Sequence, residues 1–156
     1  MIYWLISIQI LKFYLHLIIQ MTIGRKLFEE IDKPIGYKIL FENSFGTESE
    51  SSWNGIIKGY DGFPDGDNIG SGNSFQGPNG VIISNWEGIF TTKNDGEQLA
   101  FKGRDMNKNG KYVALRTYST LNTKEFSWIN GLVCLLEGTY NKNNNEFKSI
   151  GYEWKY

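Results

Sequence analysis

The residues best spaced for chemistry are Asp105-x-Asn107-x-Asn109-Gly110, which set oxygen ligands at alternate positions before a glycine, as in the first half of a calcium-binding loop. Arg116 stands where that loop needs its bidentate glutamate, and the flanks read as strands. A hairpin turn accounts for the same residues, because Asn and Gly accept left-handed backbone angles. Asp61, Asp65 and Asp67 form a second oxygen cluster, without a glutamate or histidine at ligand spacing. No metal is expected.

His16 is the sole histidine, so a Ser-His-Asp or Cys-His nucleophile and histidine-ligated zinc or iron have no basis in the main part of the chain. No phosphate-cradling glycine loop opens a helix, and no cofactor is expected. What stays open is acid–base chemistry by carboxylates or tyrosines whose pKa burial has shifted. Glu87, Arg116 and Glu137 each stand among apolar neighbours on one strand phase, with Asn85 beside Glu87 and Tyr118 beside Arg116. If those phases point into a core, the charges must pair with each other or with a ligand. If they point outward, Cys134, Leu136 and Tyr140 form the core instead, and a register shift of one residue exchanges the two outcomes. Trp53, Trp86, Tyr118 and Trp154 could line a cavity for an apolar ligand or simply fill a barrel.

These residues must be held by strands. The chain has 156 residues, 18 of them glycine and 15% aromatic, a composition suited to twisted strands and tight turns in one domain. Pro34 separates Ile23 to Asp32 from an alternating run through Ile35, Tyr37, Ile39 and Phe41. Trp53 to Tyr60 reads as the next strand. Asp61 to Asn79, crowded with glycines and acids, reads as a long surface loop with a short strand near Ser71 to Phe75. Val81 to Lys93, Gln98 to Asp105, Lys111 to Ser119, Gly131 to Tyr140 and Phe147 to Tyr156 complete the set, with Asn94-Asp95-Gly96 as a hairpin turn. About eight strands with no helix between them predict an all-β antiparallel barrel over residues 21–156, closure removing the exposed edges.

Sixteen basic against 17 acidic residues, scattered, leave no field for nucleic acid. Cys134 alone permits no internal disulfide, so the expected compartment is the cytoplasm. Residues 1–20 differ: fifteen are apolar, with Lys12 mid-run. They fit a secretory signal poorly. As a membrane anchor they would place Lys12 near the bilayer centre at roughly 2.5–3.5 kcal/mol. The reading placed ahead of the anchor is upstream sequence before a start at Met21.

The stretches Gly24-Arg25-Lys26-Leu27-Phe28-Glu29-Glu30, Gly88-Ile89-Phe90-Thr91-Thr92-Lys93 with Asp95-Gly96-Glu97, and Tyr152-Glu153-Trp154 resemble a family of small uncharacterised prokaryotic proteins. Those proteins look like barrels of the allene oxide cyclase or calycin type. The resemblance implies a barrel with a greasy cavity. Where the family has Gly-Glu-Gly, this chain has Ser84-Asn85-Trp86, and no functional residue is carried over. The expected function is binding of a small, mostly apolar ligand, with Glu87, Arg116 and Glu137 as polar anchors. A cofactor-free isomerase or cyclase of the allene oxide cyclase type, or a filled structural barrel, homo-oligomeric or not, are the alternatives.

Overall fold

The computed structural model describes residues 23–121 and 125–155, so the reading of residues 1–20 lies outside it. Eight antiparallel strands form a closed barrel in sequence order: β1 Ile23–Asn43, β2 Gly46–Gly59, β3 Gly66–Gln76, β4 Ile82–Thr92, β5 Gln98–Lys108, β6 Lys111–Ser119, β7 Val133–Asn141 and β8 Glu146–Trp154. β1 closes the ring by pairing with β2 on one side and β8 on the other. Among the described residues no helix is long and apolar enough to cross a membrane.

Two local expectations are corrected. Pro34 does not end a strand: pairing of β1 with β8 stops at Asp32, so the proline lies where β1 has only β2 beside it. A missing N–H is harmless on such an edge, and the ladder shifts register there. The supposed loop 61–79 holds the full strand β3, paired throughout with β2 and β4. Its weak strand propensity is overridden from outside, since small inward residues are what neighbouring rings require: the Trp53 indole lies against Gly70. The Asn109-Gly110 turn does behave as its residues suggest, both having positive φ, 55° and 75°.

The interior is layered from a sealed end to an open one. At the sealed end Phe63, on the β2–β3 connection, enters the core, its ring 5.0 Å from Phe28, 5.5 Å from Tyr118 and 5.7 Å from Phe90. Phe126 and Ile129, around the 3₁₀ turn Ser127–Ile129, are also buried, and Trp128 meets Phe63 edge-on. Leu99, Phe101 and Leu136 complete the apolar packing. At the opposite end the β1–β2 hairpin carries exposed Ile35, Tyr37, Ile39, Phe41 and Phe45.

Midway, Trp86 lies across Gly103 of the next strand, where any Cβ would collide with the indole. The ring cannot swing aside, being packed edge-on against both Phe101 and Trp53. Gly103→Ala is therefore expected to destabilise the fold by about 1–3 kcal/mol. A urea unfolding curve with an unchanged midpoint would show that Trp86 is not held in this way.

Candidate functional site

Glu30 of β1 and Arg116 of β6 meet inside the barrel through a two-pronged ion pair, Nη1 to Oε2 at 2.9 Å and Nη2 to Oε1 at 3.1 Å. Both side chains are almost wholly buried, 0% and 3% exposed. Asn68 of β3 donates to Glu30 Oε1, and Ser149 of β8 donates to Oε2 at 3.4 Å. Glu30 thus accepts four hydrogen bonds, the saturation that a buried carboxylate requires. Arg116 Nη1 also donates to Tyr118 Oη at 3.1 Å. Its guanidinium carbon lies 4.7 Å from the Phe101 ring centre, 5.0 Å from Trp86 and 5.5 Å from Phe28. Those rings stabilise the cation where water cannot reach it.

Above this layer a cavity of about 400 Å³ opens toward the end remote from Phe63. That volume falls in the usual small-ligand range of roughly 300–1,000 Å³. Asp32, Trp53, Ser84, Trp86, Asp105 and Tyr112 are among its lining residues, over a floor that includes Arg116. Asn68 Nδ2 donates to Asp32 Oδ1 at 3.0 Å, and Trp86 Nε1 donates to Asp105 Oδ2 at 3.1 Å. The rings of Trp53 and Trp86 cross at 89° with centres 6.3 Å apart. A larger hollow, about 1330 Å³, opens on the barrel wall, bordered by Lys33, Lys58, Lys148 and Glu146. Its lysines are solvated and the Glu30 it reaches is already engaged by Arg116, whereas the 400 Å³ cavity gathers aromatic rings and desolvated acids without salt-bridge partners among the described residues, so the chemistry points there.

Desolvation dominates the titration of these groups. Burial, reinforced by the Glu30 carboxylate, raises Asp32 well above the ordinary aspartate value, against the opposing pull of Arg116 and Asn68. Burial also raises Asp105, despite the hydrogen bonds that favour its ionised form. The Tyr112 and Tyr118 hydroxyls are pushed up by burial as well, so near neutrality they are donors rather than bases. Buried Cys134 is pushed up to about 12 by burial and behaves as a small apolar group.

Of the residues singled out from sequence, Arg116, Tyr118, Trp53 and Trp86 share the inward phase and come together around the polar layer and the cavity. Glu87, Asn85 and Glu137 do not. Glu87 is on the outer wall, paired with Lys102 at 3.1 Å; Asn85 shares its phase; Glu137 is exposed and accepts from Tyr152 Oη at 3.3 Å. On β4 the inward phase belongs to Trp86 and Phe90, and on β7 to Cys134 and Leu136, which turns both glutamates to solvent. Trp154 ends β8 and is partly exposed. Asp105 and Asn107, read first as calcium-loop positions, are strand residues lining the cavity. Asp65 accepts the Gly59 N–H and so braces a turn.

Sequence reasoning missed Glu30, Asp32 and Asn68. For the two acids, whose phase in β1 continues from Phe28, that phase was the available signal, but the competing phase of Leu27 and Ile31 looks equally apolar. Ile31 in fact stands 41% exposed.

No family model matches the chain, and no curated protein matches it by sequence. Solved structures match in fold. A protein of unknown function from Clostridium acetobutylicum superposes with a TM-score of 0.71 at 10% identity, covering 84% of this chain and 98% of its own. An enzyme from Penicillium herquei gives 0.64 at 19% identity, over 85% and 96%. A β-barrel-like protein from Acinetobacter baumannii gives 0.67 at 15%, over 85% and 95%. At such identities the likeness concerns fold alone.

Arg116→Met would strand the Glu30 charge, and a loss of about 3–5 kcal/mol is expected from chemical denaturation. Pairing it with Glu30→Met should restore much of that loss; if the double variant is no better than the single, the pair is not the source. A second expectation concerns pH. Since Asp32 titrates above its ordinary 3.8 when folded, the folded chain binds more protons than the unfolded one above that pH. Its contribution is therefore fully present in acid and is lost as pH rises through that window. Asp32→Asn, isosteric with the protonated acid, should flatten the decline of thermal stability as pH rises above the ordinary aspartate range, and parallel melting series would show an unaltered slope if Asp32 were not responsible.

Proposed function

We propose that the barrel binds a small, largely apolar ligand in the cavity at its open end. The observation carrying this reading is the contrast between the two halves of the interior: rings pack the sealed half, while the open half keeps about 400 Å³ free above a floor of paired charges. Arg116 serves there as part of the floor rather than as a free anchor, because Glu30 occupies its fork. Trp53 and Trp86 supply the apolar wall, and Asp32 and Asp105 the polar contacts. We assign the protein to the cytoplasm on its single buried thiol.

A second reading is favoured by one feature, the two cavity-lining carboxylates with raised pKa. Such groups hold a proton more readily than ordinary carboxylates and can exchange it with a bound ligand, the requirement for a cofactor-free isomerase or cyclase of the allene oxide cyclase type. Likeness in fold to an enzyme is compatible with it.

Native mass spectrometry of the full chain, purified gently from a bacterial host, is expected to show a defined added mass. Ser84→Phe, which places a ring in the cavity, should abolish that mass while the protein stays folded. A bare mass for the unaltered chain would instead favour a structural barrel, and an added mass that survives Ser84→Phe would move the site elsewhere.

A further inference from the structure

The charges facing the cavity are unequal. Among its lining residues the only basic side chain is Arg116, whose two terminal nitrogens are engaged by Glu30 and Tyr118 and whose faces are covered by rings. An incoming carboxylate or phosphate would find no unpaired cation and would have to compete with Glu30 for a guanidinium whose two terminal nitrogens are already engaged. The acids are in the opposite condition. Asp32 and Asp105 form no salt bridge among the described residues, although both border the cavity.

Strand order fixes how these acids are arranged. Asp32 belongs to β1 and Asp105 to β5, which are diametrically placed in a ring of eight. Between them on one side stand Trp53 of β2 and Trp86 of β4; on the other stand Tyr112 of β6 and Phe147 of β8, their rings 5.9 Å apart. Two aromatic walls thus alternate with two carboxylates around one recess. Ring faces and carboxylates both attract a positive charge, and both repel a negative one at close range.

Resting on the reading of the barrel as a ligand-binding protein, we infer that the cavity selects an organic cation, a protonated amine carried on an aromatic or apolar body. The amine pairs with Asp105 or Asp32, and the body lies between the aromatic walls. A neutral ligand would leave the acids without a countercharge, and a bare metal ion would leave the rings unused.

Three probes of nearly equal shape separate these possibilities: 2-phenylethylamine, 2-phenylethanol and phenylacetate, titrated into the full chain by calorimetry at neutral pH. Indole N–H resonances of Trp53 and Trp86 report whether each probe enters the cavity. The amine is expected to bind about tenfold more tightly than the alcohol and to shift both indole resonances, with no measurable binding of phenylacetate. Asp105→Asn should erase most of the amine's advantage over the alcohol. Equal or tighter binding of the alcohol or of phenylacetate within the cavity would overturn cation selection and keep the ligand-binding barrel. An amine-to-alcohol ratio unmoved in both Asp105→Asn and Asp32→Asn would likewise overturn cation selection alone. Amine binding that leaves the indoles unshifted would place it on the exterior and overturn the inference, and failure of all three probes would overturn both readings.

Discussion

Burying a guanidinium and a carboxylate together is unfavourable unless every donor and acceptor is met, because desolvating each ion costs more than their attraction returns in poor geometry. The Glu30–Arg116 pair approaches this demand with four hydrogen bonds to the carboxylate and an aromatic surround for the guanidinium, leaving only Arg116 Nε of the two charged groups without a hydrogen-bond partner among the described residues. Those partners come from β1, β3, β4, β5, β6 and β8, so the pair is completed only when the ring is closed. Closure and charge burial are therefore one event.

The pair also divides the barrel. On its sealed side Phe63, Phe28, Phe90 and Tyr118 fill the lumen as an ordinary core. On its open side no comparable plug exists among the described residues, and the charged layer becomes the floor of a recess. Proximity to that layer shapes the acids above it. Burial is the main cause that raises both acids; at Asp32 the nearby Glu30 carboxylate adds to it, whereas Asp105, across the ring, is raised by burial alone. One shared cause thus carries an added charge contribution at Asp32 only, which makes the two acids separable by mutation.

Small residues permit this arrangement as much as large ones. Gly55 leaves room for the Asp32 carboxyl, and Gly103 receives the Trp86 indole. An eight-stranded barrel has little lumen, and side chains of ordinary size at every inward position would fill it. Glycines beneath rings let bulky groups lie along the wall, so that volume remains at the axis.

Much was legible in the residues taken alone. Alternation, turn residues and the lack of helical periodicity determined an antiparallel barrel of eight strands, and Asn109-Gly110 determined its own turn, because these are local properties of backbone sterics and strand pleat. Arg116 and Tyr118 share a phase in any register that keeps Ala114 inside, so their association was local too. Which acids face inward was decided only by the tertiary structure. Glu30 lies 86 residues from Arg116, and nothing near it in the chain signals a buried partner. Glu87 and Glu137 had apolar neighbours on their phase yet face solvent, since the opposite phases carry the larger rings and the thiol that the lumen takes up. Strand β3 was equally opaque, its glycines and serines reading as a loop until adjacent indole and phenyl rings supply the reason for them. The physical reason is common to all three: a strand offers two faces of similar polarity, and only closure of the ring determines which of them is inside.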